Sequence, residues 1–333
     1  MREIKPVEIF PPAPPDVFHH ASSVVALPNG ELLVAWYSGS YETAPDNHIL
    51  LARLRGSAWS EPETIVDTPG YADGNPVLFL DAALRLWLFY VTHYGDPVPP
   101  DPAVKPWTYW TKCKIHALRS DDGGRHWHGP VTIREQQGWM TRNHPLTLSN
   151  GEILLPLYDE VKPSSTFMAS GDGGETWEER GEILSEPGNE QPAVVEMSDG
   201  TLVALMRHRG TNGRIWRSVS RDQGRTWSPA EGTPLPNPDA GIDTVGLESD
   251  AILLAFNDSP DQRTPLSLAL SQDAGQTWDI FADIESEPGE YSYPSLCLGP
   301  DGDLHLTYTR QRRTIMCARL PAGWLARAAG TAG

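Results

Sequence analysis

One eight-residue pattern, S-x-D-x-G-x-x-W, occurs four times in this chain. It reads Ser120-Asp122-Gly124-Trp127, Ser170-Asp172-Gly174-Trp177, Ser220-Asp222-Gly224-Trp227 and Ser271-Asp273-Gly275-Trp278. The serines stand 50, 50 and 51 residues apart (170−120, 220−170, 271−220). A period of this size means stacked or radially repeated units. The motif itself reads as a hairpin turn. Its Asp accepts backbone N–H groups, its Gly supplies positive φ, and its Trp carries a large area to bury against a neighbouring unit. These residues have a complete local explanation and carry no chemistry. A degenerate copy ends at Trp59.

A second signal interleaves with the first. Turns followed by alternating apolar residues appear as PNGELLVAW at 28–36, SNGEILLPL at 149–157, SDGTLVALM at 198–206 and PDGDLHLTY at 300–308, with weaker versions at 81–90 and 248–256. Asn-Gly and Asp-Gly before an alternating run mark hairpins. Six units of about 50 residues, each a small antiparallel sheet, predict an all-β, six-bladed β-propeller occupying 1–333 as one domain. Residues 1–17 read as an extended N-terminal segment and 321–333 as a short tail. Radial closure protects strand edges. A solenoid would need polar capping units, and the sequence has none evident.

Composition narrows the partners. With 26 Lys and Arg against 44 Asp and Glu, the net charge is −18. Such a surface repels nucleic acid and anionic membranes. No run approaches the length of a membrane span. Cys113, Cys297 and Cys317 form no metal-ligand spacing, so no metal and no cofactor is expected. The N-terminus lacks a secretory pattern, which predicts a cytoplasmic protein, or a secreted one if a signal was removed.

The starts of the six innermost strands point to a site. They read His19-His20-Ala21, Asn75-Pro76, Asn143-His144-Pro145, Glu190-Gln191-Pro192, Ile242-Asp243 and Tyr291-Ser292-Tyr293-Pro294. In a propeller these starts converge on the axis. His20, Asn75, His144, Gln191, Asp243 and Tyr293 are therefore expected to ring one pocket whose polar groups suit a sugar's hydroxyls.

The four boxed motifs are Asp boxes, and from Phe18 to Arg319 the chain resembles the sialidase (neuraminidase) superfamily. That resemblance implies a Tyr nucleophile, Tyr291 in EYSYP, and a Glu base, Glu190 in NEQPAVV. It implies an acid/base Asp, for which Asp46 in APDNHI is the best match, and arginines Arg207 and Arg263 holding a substrate carboxylate. The chemistry is consistent. A neutral Tyr can attack beside the sugar's carboxylate, where a carboxylate nucleophile would be repelled. Arginine binds a carboxylate in bidentate fashion. The family's first arginine is missing, and His19 stands in its place.

The implied activity is hydrolysis of a terminal acidic sugar from a glycan. Two other readings remain open. One is a polysaccharide lyase or hydrolase acting at a uronic acid through pocket histidines; the other is a non-catalytic, glycan-binding propeller.

Overall fold

The computed structural model describes residues 4–14, 16–95, 111–248 and 250–324. Of the expected tail, 325–333 lies outside the described residues. Six antiparallel sheets of four or five strands stand in sequence order. Their innermost strands are Phe18–Ala26, Ala72–Leu80, the split pair Trp139–Thr141 and Leu146–Thr147, Asn189–Glu196, Asp243–Gly246 and Tyr291–Leu298. The six-bladed propeller expected from the repeats is the fold.

The N-terminal segment does more than extend. Val7–Glu8 pairs antiparallel with Met316–Cys317 and becomes the outermost strand of the last blade. The edge of Thr314–Leu320 would otherwise present unpaired N–H and C=O groups, and this pairing satisfies them.

Six apolar clusters fill the seams between adjacent blades, and each receives a tryptophan. Trp127, Trp177, Trp227 and Trp278 come from the four full boxes. Trp59, from the degenerate copy, fills the seam between the last and first blades. Trp324, beyond the last strand, fills the seam between the fifth and sixth.

Each box folds as its residues dictate. In the third, Ser220 Oγ donates to Asp222 Oδ1 at 2.8 Å and accepts from Gly224 N at 2.9 Å. Asp222 also takes the Thr226 N–H at 2.8 Å and the Thr226 hydroxyl at 2.6 Å. Gly224 has φ of 81°, a conformation costly for any residue with a Cβ.

Four inner strands share a feature that positions the site. Their ladders skip register between His20 and Ser23, Gly74 and Val77, Glu190 and Ala193, and Ser292 and Ser295. Each bulge contains one left-handed residue: Ala21, Asn75, Gln191 or Tyr293, with φ of 53, 47, 55 and 53°. Bulges re-aim side chains beside functional sites. In three of the four, a proline follows the turned residue, and proline is accepted at bulges because the ladder there needs no N–H.

Candidate functional site

The bulges aim Asn75, Gln191 and Tyr293 into one cavity of about 400 Å³ at the axial end of the blades. Strand ends and loops bring four guanidiniums to its wall, Arg207, Arg209, Arg263 and Arg312, and four carboxylates, Glu42, Glu160, Glu190 and Asp239. The chain's overall negative charge is thus absent from the pocket, where the two signs balance.

Arg207 and Arg263 lie in the pocket, as expected. Arg207 directs Nε and Nη2 onto Asp239 Oδ1, each at 2.7 Å, and Nη1 toward Gln191 Oε1 at 3.2 Å and the Tyr293 hydroxyl at 3.3 Å. Arg263 lies over the Tyr293 ring, 5.7 Å from its centre, and donates to Glu290 at 3.2 Å and to the Asp239 carbonyl at 3.2 Å. Asn75 and Gln191 meet through Tyr158. Asn75 Nδ2 donates to the Tyr158 hydroxyl at 3.2 Å, and Gln191 Nε2 stands 3.5 Å from the hydroxyls of both Tyr158 and Tyr293.

Of the two tyrosines in EYSYP, Tyr293 lines the pocket and Tyr291 does not. Tyr291 pairs with Arg310 in the regular part of the ladder. Its ring packs in the apolar seam against Tyr308, centroids 6.3 Å apart, and burial raises its pKa. The bulge two residues later turns Tyr293 to the axis. Tyr291 and Glu190 therefore do not meet as a nucleophile and its base.

Glu190 lines the pocket but is buried against the Arg209 guanidinium, with Arg207 Nε 3.8 Å away. Asp46 does not reach the pocket. It is exposed and holds its own loop, accepting Ser40 N at 3.1 Å and the Ser40 hydroxyl. Glu42, four residues earlier in the same loop, takes the position facing the cavity.

The two adjacent histidines point to opposite faces, as strand neighbours must. His19 turns away from the axis. Its Nδ1 accepts the Trp36 indole N–H at 3.0 Å and its ring lies against Phe10. Burial pushes its pKa down to about 4. His20 faces the axis, fully buried, edge-on to Tyr293 at 4.5 Å. Burial, reinforced by Arg312 and Arg263, holds it neutral.

His144 and Asp243 leave the ring as well. They line a second cavity, about 450 Å³, at the far end of the inner strands. His144 is fixed by the Leu78 carbonyl at 2.8 Å and Ser295 Oγ at 2.9 Å. Asp243 is buried and accepts Thr244 N and Leu296 N. The third blade's inner strand is interrupted between Thr141 and Leu146, and this shifts its polar residues along the axis.

The sequence reading also missed Tyr158, Glu160, Arg209 and Asp239 on the pocket wall, and two further arginines complete the site. Arg312 sits in the turn between Leu304–Arg310 and Thr314–Leu320, beside the first blade, where His19 N donates to its carbonyl at 3.0 Å. Its Nη1 meets Glu42 at 2.6 Å and its Nε meets Glu290 at 2.9 Å. A guanidinium from the last blade thus stands near the place left without arginine in the first. Arg142, from the interrupted strand, lies buried beneath the Tyr293 ring at 4.8 Å and donates to the Ser22 and Pro294 carbonyls. Nothing in the local sequence around either arginine marks it.

Solved propellers share this architecture. A Trypanosoma rangeli sialidase in complex with sialic acid superposes with a TM-score of 0.78 at 14% identity, covering 99% of this chain and 60% of that one. A protein of unknown function from Dyadobacter fermentans gives 0.76 at 18% identity, covering 96% and 99%. At the sequence level, 220 residues are 30% identical to a sialidase of Micromonospora viridifaciens, 58% of this chain and 33% of that protein. A stretch of 179 residues is 27% identical to an anhydrosialidase of Macrobdella decora, 48% of this chain and 23% of that protein. The chain spans about a third or less of the length of these two relatives. The model of the BNR repeat-like domain matches residues 30–306, and with the six blades and their Asp boxes in place, the chain belongs to the BNR repeat-like family, on a sialidase-type propeller.

Proposed function

We propose that the axial pocket is the active site of a glycosidase that removes a terminal acidic sugar from a glycan. Arg207, Arg263 and Arg312 receive the sugar's carboxylate and Tyr293 attacks its anomeric carbon. The carrying observation is that three guanidiniums from the fourth, fifth and sixth blades line one cavity with a buried tyrosine hydroxyl. Guanidinium forks suit a carboxylate, and a tyrosine is the nucleophile that sialidases use in place of a second carboxylate. The similarity to proteins named sialidases points the same way.

The polar remainder of the pocket, Asn75, Gln191 and Tyr158, suits sugar hydroxyls. The elimination alternative relied on pocket histidines. Its support is weaker, because His144 lines the other cavity and His20 is buried beneath Tyr293.

The test is incubation with α-ketosides of sialic acid and with uronate-capped oligosaccharides. Release of the terminal sugar without an unsaturated product supports hydrolysis. Unsaturated product identifies a lyase, and saturable binding with no release identifies a glycan-binding propeller; either overturns the proposal.

A further inference from the structure

The hydroxyl of Tyr293 has two polar neighbours that donate and no carboxylate hydrogen-bonded to it among the described residues. Arg207 can only donate. Its contact with Gln191 Oε1 fixes the amide's orientation, so Gln191 presents Nε2 to the tyrosine. A neutral phenol between two donors would have to aim its own proton elsewhere, whereas a phenolate oxygen accepts both.

A second observation is independent of the hydroxyl. Arg142 is buried to 2% exposure, and no carboxylate lies within ion-pair distance of it among the described residues. Its guanidinium instead lies 4.8 Å from the centre of the Tyr293 ring. A buried charge without a direct ion pair is costly; Asp243 supports it only from beyond that distance, and a phenolate, whose charge spreads over the ring, would neutralise it. Arg263 sits 5.7 Å from the same ring.

We infer that Tyr293 rests as a phenolate, held as the counter-anion of Arg142, Arg207 and Arg263, and needs no carboxylate base; its catalytic consequence rests on the function proposed above. The other groups facing it do not reverse the balance. From the first blade, His20 is neutral and Glu42 is bound by Arg312 at 2.6 Å. Asp239, between the fourth and fifth blades, is bound by Arg207 at 2.7 Å, and Asp243 of the fifth accepts the Thr244 and Leu296 N–H groups. From the third, the Tyr158 hydroxyl receives only amide donors and burial keeps it protonated. Burial alone would raise the Tyr293 pKa, but Arg207 and Arg263 outweigh it and hold the group below an ordinary tyrosine.

In the reaction, the phenolate oxygen forms a bond to the anomeric carbon. The electron pair of the glycosidic bond goes to the leaving oxygen, which takes a proton from water in the open cleft. A second water then attacks the anomeric carbon, the phenolate departs with its pair, and that water's proton passes to solvent.

The experiment is a near-ultraviolet titration of the full chain, comparing wild type with Tyr293→Phe and Tyr158→Phe. One of the ten tyrosines should show the tyrosinate band at neutral pH, below the ordinary value of about 10. The band should vanish in Tyr293→Phe and persist in Tyr158→Phe. Gln191→Glu places an acceptor beside the hydroxyl. It should move this titration, and the acid limb of the activity profile, upward by about one pH unit or more. If Tyr293→Phe does not fold, wild type and Gln191→Glu decide. Absence of any tyrosinate near neutrality, or a band removed by Tyr158→Phe, overturns the inference. Tyrosinate without sugar release supports the inference and counts against the proposed function. Sugar release without tyrosinate does the reverse.

Discussion

Glu290 Oε1 accepts Arg312 Nε at 2.9 Å and Arg263 Nη1 at 3.2 Å, so one carboxylate oxygen joins the guanidiniums of two blades. It tethers two of the four guanidiniums on the cavity wall to one another. Its side chain is a third exposed, so its loss should cost only about 1 kcal/mol of orientation. Glu290→Gln should raise KM for an acidic glycoside about fivefold, with a smaller change in kcat. Steady-state kinetics against an uncharged glycoside would check that the effect belongs to the carboxylate.

Arg312 should discriminate by shape as well as charge. Arg312→Lys and Arg312→Ala are expected to weaken an acidic-sugar inhibitor to a similar degree, by roughly 10- to 100-fold, because both lose the planar fork. Calorimetric titration measures this directly. Equal affinity in Arg312→Lys and wild type would make the residue a simple counter-charge.

The turn that presents Arg312 carries a cost. Gln311 and Arg312 have φ of 50 and 55°, the double left-handed conformation for which Asn-Gly is preferred. Gln311→Asn should stabilise the protein by about 0.5–1 kcal/mol, within the range of such turn repairs, and leave inhibitor affinity unchanged. Urea unfolding and inhibitor titration on the same variant separate the two effects.

The boxed motifs should matter for stability alone. Trp227 stacks on the fully buried Phe167, centroids 4.7 Å apart. Trp227→Ala should cost about 3 kcal/mol or more, read as a lower urea midpoint. Turnover per folded molecule should stay the same.

Acid should weaken the fold through its buried histidines. Burial lowers His93 to about 3 and His19 to about 4, while an unfolded histidine titrates near 6.5. Between those values the unfolded chain binds protons that the folded chain does not. Their contribution is therefore full above about pH 6.5 and is lost as pH falls toward 4, by up to about 1.4 kcal/mol per unit for each group. Unfolding midpoints at pH 7 and pH 5 check the slope, and His93→Phe should reduce it.

The blades were legible in the sequence because hairpin turns and alternation are local signals. Even the degenerate copy at Trp59 finds its seam. The convergence of Asn75, Gln191 and Tyr293 was legible because each strand start is marked by a proline. The choice between Tyr291 and Tyr293 was not. Strand parity puts both on one face, and only the bulge at φ 53° separates them. Arg312 and Arg142 were hidden for a different reason. A side chain that crosses from one blade to the site of another leaves no trace in its neighbours along the chain.

The pairing of Val7–Glu8 with Met316–Cys317 spans 310 residues (317−7). During synthesis the ring cannot close until its sixth blade has emerged, so the arginines of the axial pocket stay unassembled until then. Opening the clasp would free the seam packed around Trp36 and Trp59 and carry Arg312 away from Glu42. A chain cut just before Val17 should therefore lose the arrangement of its pocket arginines well before it loses its blades.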